Sequence, residues 1–305
     1  MKVVLRALVP LAAFVAAWTS GVQATGQRLD VTVAIRARAI AVGEVVVVTM
    51  TTDTPADEVR VKAFDRDQPA FRDSPLVWRA IVGIDLDVVP NTYVLTVDAR
   101  AGEVVSHVSR DLIVANREFP TRRLTVDDAY VNPPAAVTER ITQEAKELDL
   151  IWKSPAATRL WTGAFERPVP QDANSAFGSR SVFNGESRSP HSGADFSSPA
   201  GTPIHAPNAG RVVLARDLYF TGNTVIIDHG LGLFSLLAHL SSIDVHEGDV
   251  VAAGRVVGLV GATGRVTGPH LHWGVRLGGA RVDPLSLLDA LGPKTTAGVD
   301  FRRGR

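Results

Sequence analysis

Two histidines one residue apart, His270 and His272, lie in the segment GPHLHW, between a Gly-Pro turn and a tryptophan. In an extended chain, side chains two residues apart point to the same face, and their Cα atoms lie about 7 Å apart. Both imidazoles can then approach one metal ion. Two polar residues along one side of a strand have the same spacing, so this segment alone leaves both interpretations open.

A histidine and an aspartate four residues apart, His191 and Asp195, lie in the segment HSGAD. A fully extended chain would separate their Cα atoms by about 13 Å, which is awkward for two ligands that each lie about 2 Å from one ion. Pro190, Gly193 and Pro199 disfavour a helix, so a shared metal requires a bend, which we expect at Gly193. The alternative is a turn in which Asp195 caps backbone amides and His191 is exposed.

Other histidines occur nearby in the sequence. His239 ends the apolar run LLAHL, where a lone histidine is usually a hydrogen-bonded core or edge residue. His229, in IIDHG, precedes a glycine turn, and we expect a structural role for it. His205 and His246 occupy loop-like segments, and no function is predicted for them.

Taken together, these segments resemble a known family. The runs HSGADFSSPAGTPIHAPNAGRVV, GNTVIIDHGLGLFSLLAHL and GDVVAAGRVVGLVGATGRVTGPHLHW are similar to those of the LytM/lysostaphin-type zinc metallopeptidases, which cut peptide bonds in bacterial peptidoglycan. The resemblance covers roughly residues 174–288, and its three histidine-bearing motifs occur in the family's order and spacing. It therefore implies a peptidoglycan endopeptidase.

The resemblance also implies a role for five residues. His191, Asp195 and His272 would bind one Zn²⁺ per chain, and His239 and His270 would flank the metal as catalytic histidines. Three protein ligands leave a fourth tetrahedral position for water, as in catalytic rather than structural zinc sites. The ion lowers the pKa of that water toward about 7 and polarises the scissile carbonyl. Mn²⁺, Co²⁺ or Cu²⁺ could occupy the same ligands in vitro.

The proton transfers are expected to use imidazole groups. No H-E-x-x-H helix, whose glutamate serves as general base in other zinc peptidases, occurs in the chain. Neutral His270 could take a proton from the attacking water, and His239, or whichever histidine is protonated, could stabilise the oxyanion. The sequence does not say which of the two histidines is the base.

One position departs from the family pattern. Many members carry a tyrosine two residues before the histidine of the HL segment, where this chain has Leu237. Tyr219, near the TGN turn, is a candidate substitute. Arg180 and Asn184, in GSRSVFNG, are candidates for lining the substrate groove, although ordinary loop hydrogen bonding explains them equally well.

Two other functions compete with the endopeptidase. Some relatives have lost zinc ligands and instead activate cell-wall amidases without catalysis, but all five expected positions are filled here. A structural zinc module without turnover is the other alternative, and the histidines at 239 and 270 argue against it. The endopeptidase is therefore the preferred prediction.

The fold class predicted for the chain is mainly all-β. Residues 27–115 contain short runs rich in β-branched and aromatic residues, which predicts an immunoglobulin-like β-sandwich serving as a spacer or binding module. Residues 116–165 are predicted to be a linker with an amphipathic helix over AAVTERITQEAKELDLIW. Residues 166–292 are rich in glycine turns between short β runs, which predicts an antiparallel metallopeptidase domain. A disordered tail is expected over residues 293–305.

The N-terminus predicts export. Lys2 and Arg6 accompany a 12-residue apolar run over residues 7–18, and Ala24 offers a cleavage site, so residues 1–24 are predicted to be a signal peptide. The run is short for a membrane span, which needs about 20 residues, although a retained anchor is the alternative. We expect a periplasmic or extracellular protein of the cell envelope.

Composition excludes some functions. Lys+Arg and Asp+Glu are equal at 32, so there is no electrostatic basis for binding nucleic acid or an anionic membrane. The chain contains no cysteine, which excludes disulfides and a lipid-modified cysteine.

Overall fold

A computed structural model describes residues 28–125, 127–173, 177–187 and 189–292. The predicted signal peptide over residues 1–24 and the predicted tail over residues 293–305 lie outside the described residues. No helix within the described ranges is both long enough and apolar enough to cross a membrane. The described chain is mostly β-structure, which confirms the predicted fold class.

The N-terminal region consists of two four-stranded antiparallel sheets, in the orders β1-β2-β6-β5 and β4-β3-β7-β8. Alternate valines, alanines and leucines of both sheets share one buried core. The order is that of strands A-B-E-D and C′-C-F-G in immunoglobulin-type sandwiches, which supports that assignment but leaves it a prediction. The strands are β1 Val31–Ala37, β2 Val45–Thr52, β3 Glu58–Ala63, β4 Arg66–Gln68, β5 Ala70–Ser74, β6 Val77–Gly83, β7 Thr92–Ala101 and β8 Val104–Ile113.

The region predicted as a linker is more structured than its sequence indicates. The predicted helix is confirmed as α1, Ala135–Lys153, and its residues Leu148, Ile151 and Trp152 pack against a buried cluster that includes Phe234. Ahead of it, the polar segment Thr121–Leu124 forms a strand, β9, which no periodicity predicted. It forms because it pairs in parallel with β10, Arg180–Phe183, which in turn pairs with β11, Glu186–Ser187.

The C-terminal region is a nine-stranded sheet whose main path is β12-β19-β16-β15-β14-β17. A helix, α2, follows it at Pro284–Leu291, where the sequence predicted only β-structure. Its start signal is local, since Asp283 caps the helix and proline occupies the first turn. The strands are β12 Gly193–Phe196, β13 Pro203–His205, β14 Gly210–Leu218, β15 Gly222–Gly230, β16 Leu233–Ile243, β17 Val250–Val251, β18 Val256–Val260, β19 Leu271–Leu277 and β20 Ala280–Val282.

The N-terminal sheets pack directly on the C-terminal sheet. Val45, Val47 and Ile81 belong to the same buried cluster as Trp273 and Leu287. Ion pairs accompany the apolar contact, because two buried carboxylates each pair with the same two arginines. The pairs are Arg38–Glu44, Arg38–Asp283, Arg117–Glu44 and Arg117–Asp283. The N-terminal region therefore supports the C-terminal sheet through a shared core.

Candidate metal centre

Two neighbouring strands bring the predicted ligands together. β12 and β19 are antiparallel, and their register places Asp195 directly opposite His272. Opposite residues of a strand pair present their side chains on the same face. His191 lies two residues before β12, and its backbone is held by hydrogen bonds from His191 N to Ser179 O and from Gly178 N to His191 O.

Gly193 is required for space at this point. A Cβ at residue 193 would lie 2.6 Å from Cε1 of His272 and 2.5 Å from the carbonyl oxygen of Trp273. The backbone there belongs to the strand and does not adopt a positive φ. The predicted importance of this glycine therefore has a different physical reason: it lets the His272 ring lie against the backbone.

Three ligand-type atoms converge at the centre. Nε2 of His191 lies 2.9 Å from Nδ1 of His272, and each nitrogen lies 3.0 Å from Oδ1 of Asp195. Ligand atoms about 2.0–2.1 Å from a tetrahedral zinc ion would lie about 3.3 Å apart. The triangle matches that spacing within a few tenths of an ångström, so these three residues fit a metal with an open fourth position.

The pKa shifts of Asp195 and His272 favour the forms of these two side chains that bind a cation. Burial alone would raise the pKa of Asp195, but hydrogen bonds with His191 and His272 hold it well below its usual range. Burial lowers the pKa of His272. A carboxylate and neutral imidazoles are the forms that bind metals. The Nδ1 atom of His191 is buried and has no hydrogen-bond partner among the residues that the structure describes.

His239 adopts a strained conformation that turns it toward the triad. Its φ is +68°, a left-handed value uncommon for a residue with a side chain, and the pairing of β15 with β16 shifts register beside it. Its Nδ1 lies 2.8 Å from the carbonyl oxygen of Thr263, so Nδ1 carries the hydrogen and Nε2 is left as an acceptor. Burial lowers its pKa to about 3, with contributions from His272 and His270.

His270 lies beside the triad but outside it. Its Nδ1 donates to the carbonyl oxygen of Gly268 over 2.9 Å, and its Nε2 lies 3.9 Å from Oδ1 of Asp195. Its ring centroid is 4.9 Å from that of His239. The two histidines of GPHLHW therefore differ in position: His272 is within the triad, and His270 places its Nε2 at the edge of the triad.

The centre opens into a groove of about 700 Å³. All five predicted site residues line it, and the triad side chains keep 11–21% of their surface exposed. Sequence reasoning missed several further lining residues, namely Tyr130, Val131, Pro133, Phe183, Phe220 and Arg265. Of these, Phe220 and Arg265 flank glycine turns of the recognised motifs, which is the only local signal for any of them.

The three weaker groove candidates are not among the lining residues. Arg180 and Asn184 lie on β10 and in the turn that follows it, and both are exposed. Tyr219 supports the structure from behind: its hydroxyl donates to the carbonyl oxygen of Ala129 over 2.6 Å, and its amide donates to Glu144 over 2.9 Å.

Two further histidines, His229 and His205, have structural contacts. His229 is fully buried between Ser235 and the carbonyl oxygen of Ala209, and burial lowers its pKa to about 4. His205 donates to the carbonyl oxygen of Gly254. None of the three contacts reaches the triad.

Comparisons with known proteins agree with this geometry. The sequence profile of Peptidase family M23 matches residues 189–284. Peptidoglycan DD-endopeptidase ShyA of Vibrio cholerae is 44% identical over 96 residues, which are 32% of this chain and 22% of that protein. DD-carboxypeptidase/endopeptidase Mpg of Neisseria meningitidis is 43% identical over 97 residues, also 32% and 22%. The chain thus spans about a fifth of the length of these curated relatives.

A solved structure gives a longer match. The crystal structure of a peptidase M23 from Pseudomonas aeruginosa is 34% identical, with a TM-score of 0.65, and the match covers 83% of this chain and 96% of that one. The similarity therefore includes the N-terminal sheets as well as the region of the triad. With this extent of similarity, and with the predicted resemblance confirmed, the protein belongs to peptidase family M23.

Proposed function

We propose that the protein is a zinc-dependent endopeptidase that cleaves peptide cross-links of peptidoglycan, between two residues of D configuration. The observation that supports this proposal best is the triangle of ligand atoms from His191, Asp195 and His272. It lies in a groove that two further histidines also line. The D,D specificity comes from the names of the curated relatives and is part of the proposal.

A metal ion would be held by Nε2 of His191, Oδ1 of Asp195 and Nδ1 of His272. When bound, zinc supplies Lewis-acid polarisation of a carbonyl and makes a nearby water more acidic. The single carboxylate lowers the net charge of the site without neutralising it. Zinc is favoured because two nitrogens and one oxygen with an open position form a common catalytic zinc set.

His270 is the proposed general base. Its Nδ1 donates to the carbonyl oxygen of Gly268, so in the neutral imidazole Nε2 is the acceptor, and Nε2 lies 3.9 Å from Oδ1 of Asp195. Once protonated, His270 would be stabilised by the Asp195 carboxylate 3.9 Å away. Its side chain is also 20% exposed, so solvent can help stabilise the charge.

His239 is proposed to stabilise the developing oxyanion. Its ring centroid lies 6.0 Å from that of His272 and 4.9 Å from that of His270. Because burial keeps it neutral, it competes poorly for the proton that His270 accepts. Its Nδ1 hydrogen is engaged by Thr263, so Nε2 can donate only when the ring carries a second proton, and the negative charge that develops on an oxyanion beside Nε2 would favour that form.

The setting of the centre suits a polymeric substrate. The groove remains open to solvent although all five site residues lie within it. We propose residues 166–292 as the catalytic unit, residues 27–115 as its supporting module, and export by the signal peptide as the route to the cell wall.

Digestion of purified sacculi tests the proposal. The mature protein, loaded with zinc, is incubated with sacculi, and mass spectrometry identifies the released and residual peptides. New free amines and carboxylates should appear at D,D cross-links. The variant His270→Ala should lower the rate by about 10²- to 10⁴-fold while it retains the metal.

His205→Ala is the matched control. His205 also donates Nδ1 to a glycine carbonyl, but it lies outside the groove, so its loss should leave digestion unchanged. Intact sacculi after incubation with the zinc-loaded wild type would contradict the endopeptidase. Activation of a cell-wall amidase by the same sample would instead establish the non-enzymatic alternative.

A further inference from the structure

The region before α1 contributes to the groove although it lies far from the site in sequence. Residues 119–125 and 127–133, called the wall segment below, place Tyr130, Val131 and Pro133 along the same groove as the site histidines. The family profile begins only at residue 189. This part of the groove therefore comes from outside the segment that carries the metal-binding motifs.

The wall segment is held at both ends. At its start, β9 pairs with β10 over the full length of both strands, and the Phe119 ring packs edge-on against Phe177 at 6.3 Å. At its end, the Tyr219 hydroxyl donates to the carbonyl oxygen of Ala129. The rings of Tyr219 and Tyr130 lie 5.4 Å apart. These contacts hold Tyr130 in a defined place.

The wall segment does not act as a plug of the metal centre. The side chains that it contributes to the groove are a tyrosine, a valine and a proline, and none of them lies within the ligand triangle. The triad side chains keep part of their surface exposed beside it. The segment forms a side of the groove and leaves the centre accessible.

Tyr130 is the residue of this segment best suited to contact a ligand. It is half-buried, and its ring rests on Tyr219. Among the described residues, its hydroxyl has no hydrogen-bond partner, whereas the hydroxyls of Tyr219 and Tyr93 each donate to a carbonyl oxygen. A phenol with a supported ring and an available hydroxyl can pack on an aliphatic side chain and bond a peptide group.

We propose that Tyr130 is a substrate-contacting residue that determines affinity for the peptide strand of the cross-link. Its ring and Val131 contact the apolar part of the peptide, and its hydroxyl bonds a backbone amide or carbonyl. The inference rests on the proposed function, since it names how the same groove binds its substrate.

Kinetics with a soluble, cross-linked disaccharide-peptide dimer test this assignment. Tyr130→Ala should raise KM about 10-fold, and Tyr130→Phe about 3-fold, as expected for losing a packed ring and a neutral hydrogen bond. Both variants should keep kcat close to that of the wild type, because the catalytic histidines and the triad are untouched. Zinc content and melting temperature are measured for each variant.

Two further tyrosine variants separate the contact from its support. Tyr219→Phe removes the hydroxyl that holds Ala129 but does not change a lining residue, so KM should rise about 2-fold through a looser wall segment. Tyr93→Phe removes a hydroxyl in the N-terminal sheets and should change neither KM nor kcat.

Each alternative outcome has a distinct meaning. An unchanged KM in both Tyr130 variants would overturn the contact. A several-fold rise in kcat/KM would also overturn it, since the segment would then obstruct the groove. If Tyr130→Ala lowers the melting temperature, the KM of Tyr130→Phe alone tests the contact. An inactive wild type would contradict the proposed function before any substitution is considered.

Discussion

Glu44 is a buried carboxylate beside the contact between the N-terminal and C-terminal sheets, and it shares both of its guanidinium partners, Arg38 and Arg117, with Asp283. It accepts hydrogen bonds from Arg38 at 2.7 and 3.1 Å and from Arg117 at 2.7 Å. Glu58 has a similar pair of partners, Arg60 and Arg100, at 2.7 and 3.4 Å. The difference is exposure: the side chain of Glu44 is 3% exposed and that of Glu58 is 40% exposed.

This difference sets the expected magnitudes. Breaking a buried ion pair by removing one partner costs about 3–5 kcal/mol, because the other charge is left buried. The side chains of Arg38 and Arg117 are each about one-third exposed and keep Asp283 as a partner. We therefore expect Glu44→Gln to lower the free energy of unfolding by about 3 kcal/mol. Glu58→Gln should cost less than about 1 kcal/mol, as for surface pairs.

Urea unfolding followed by far-UV circular dichroism measures both variants against the wild type. In a chain of 305 residues, an unfolding entropy of about 2 cal/mol/K per residue makes 3 kcal/mol correspond to roughly 5 °C in the melting temperature, which a thermal scan resolves easily. Equal effects of the two substitutions would refute the reasoning, because burial would then make no difference. Separate unfolding transitions in Glu44→Gln alone would show that the ion pairs couple the two sheets.

Further predictions concern the metal and a buried histidine. Asp195→Asn should weaken zinc binding by more than about 100-fold, because even substitutions outside the ligand shell cost about 10- to 100-fold in metal affinity. Competition with a chelator measures the zinc affinity. The control Asp98→Asn, which changes an exposed contact with His107, should leave that affinity unchanged. His229 has its pKa lowered to about 4 by burial, so the unfolded state binds the extra proton and stability falls as the pH drops from about 6.5 toward 4. Between pH 7 and pH 5, this single group should lower the free energy of unfolding by roughly 2 kcal/mol. In urea unfolding of the zinc-loaded proteins, His229→Gln should therefore lose about 2 kcal/mol less than the wild type over the same pH range. Equal pH dependence in the two proteins would contradict this prediction.

The sequence predicted the elements whose signal is local. The apolar stripe of α1 is visible because Leu148 and Ile151 recur at helical spacing, and the main sandwich strands are rich in β-branched residues. α2 was not predicted, although Asp283 and Pro284 are local signals for the start of a helix. β9 could not be predicted in the same way, because the strand exists only through pairing with residues 180–183.

The types and the order of the site residues were determined by the sequence itself, since metal binding and proton transfer require histidine and carboxylate side chains at compatible positions. The tertiary structure decided which atoms meet: Nε2 of His191, Nδ1 of His272, and Nε2 of His270 at the edge. It also placed Tyr130 in the groove and Tyr219 behind it. These outcomes depend on strand register and on contacts between segments that are distant in sequence. The local sequence around a side chain does not specify which distant backbone it will contact.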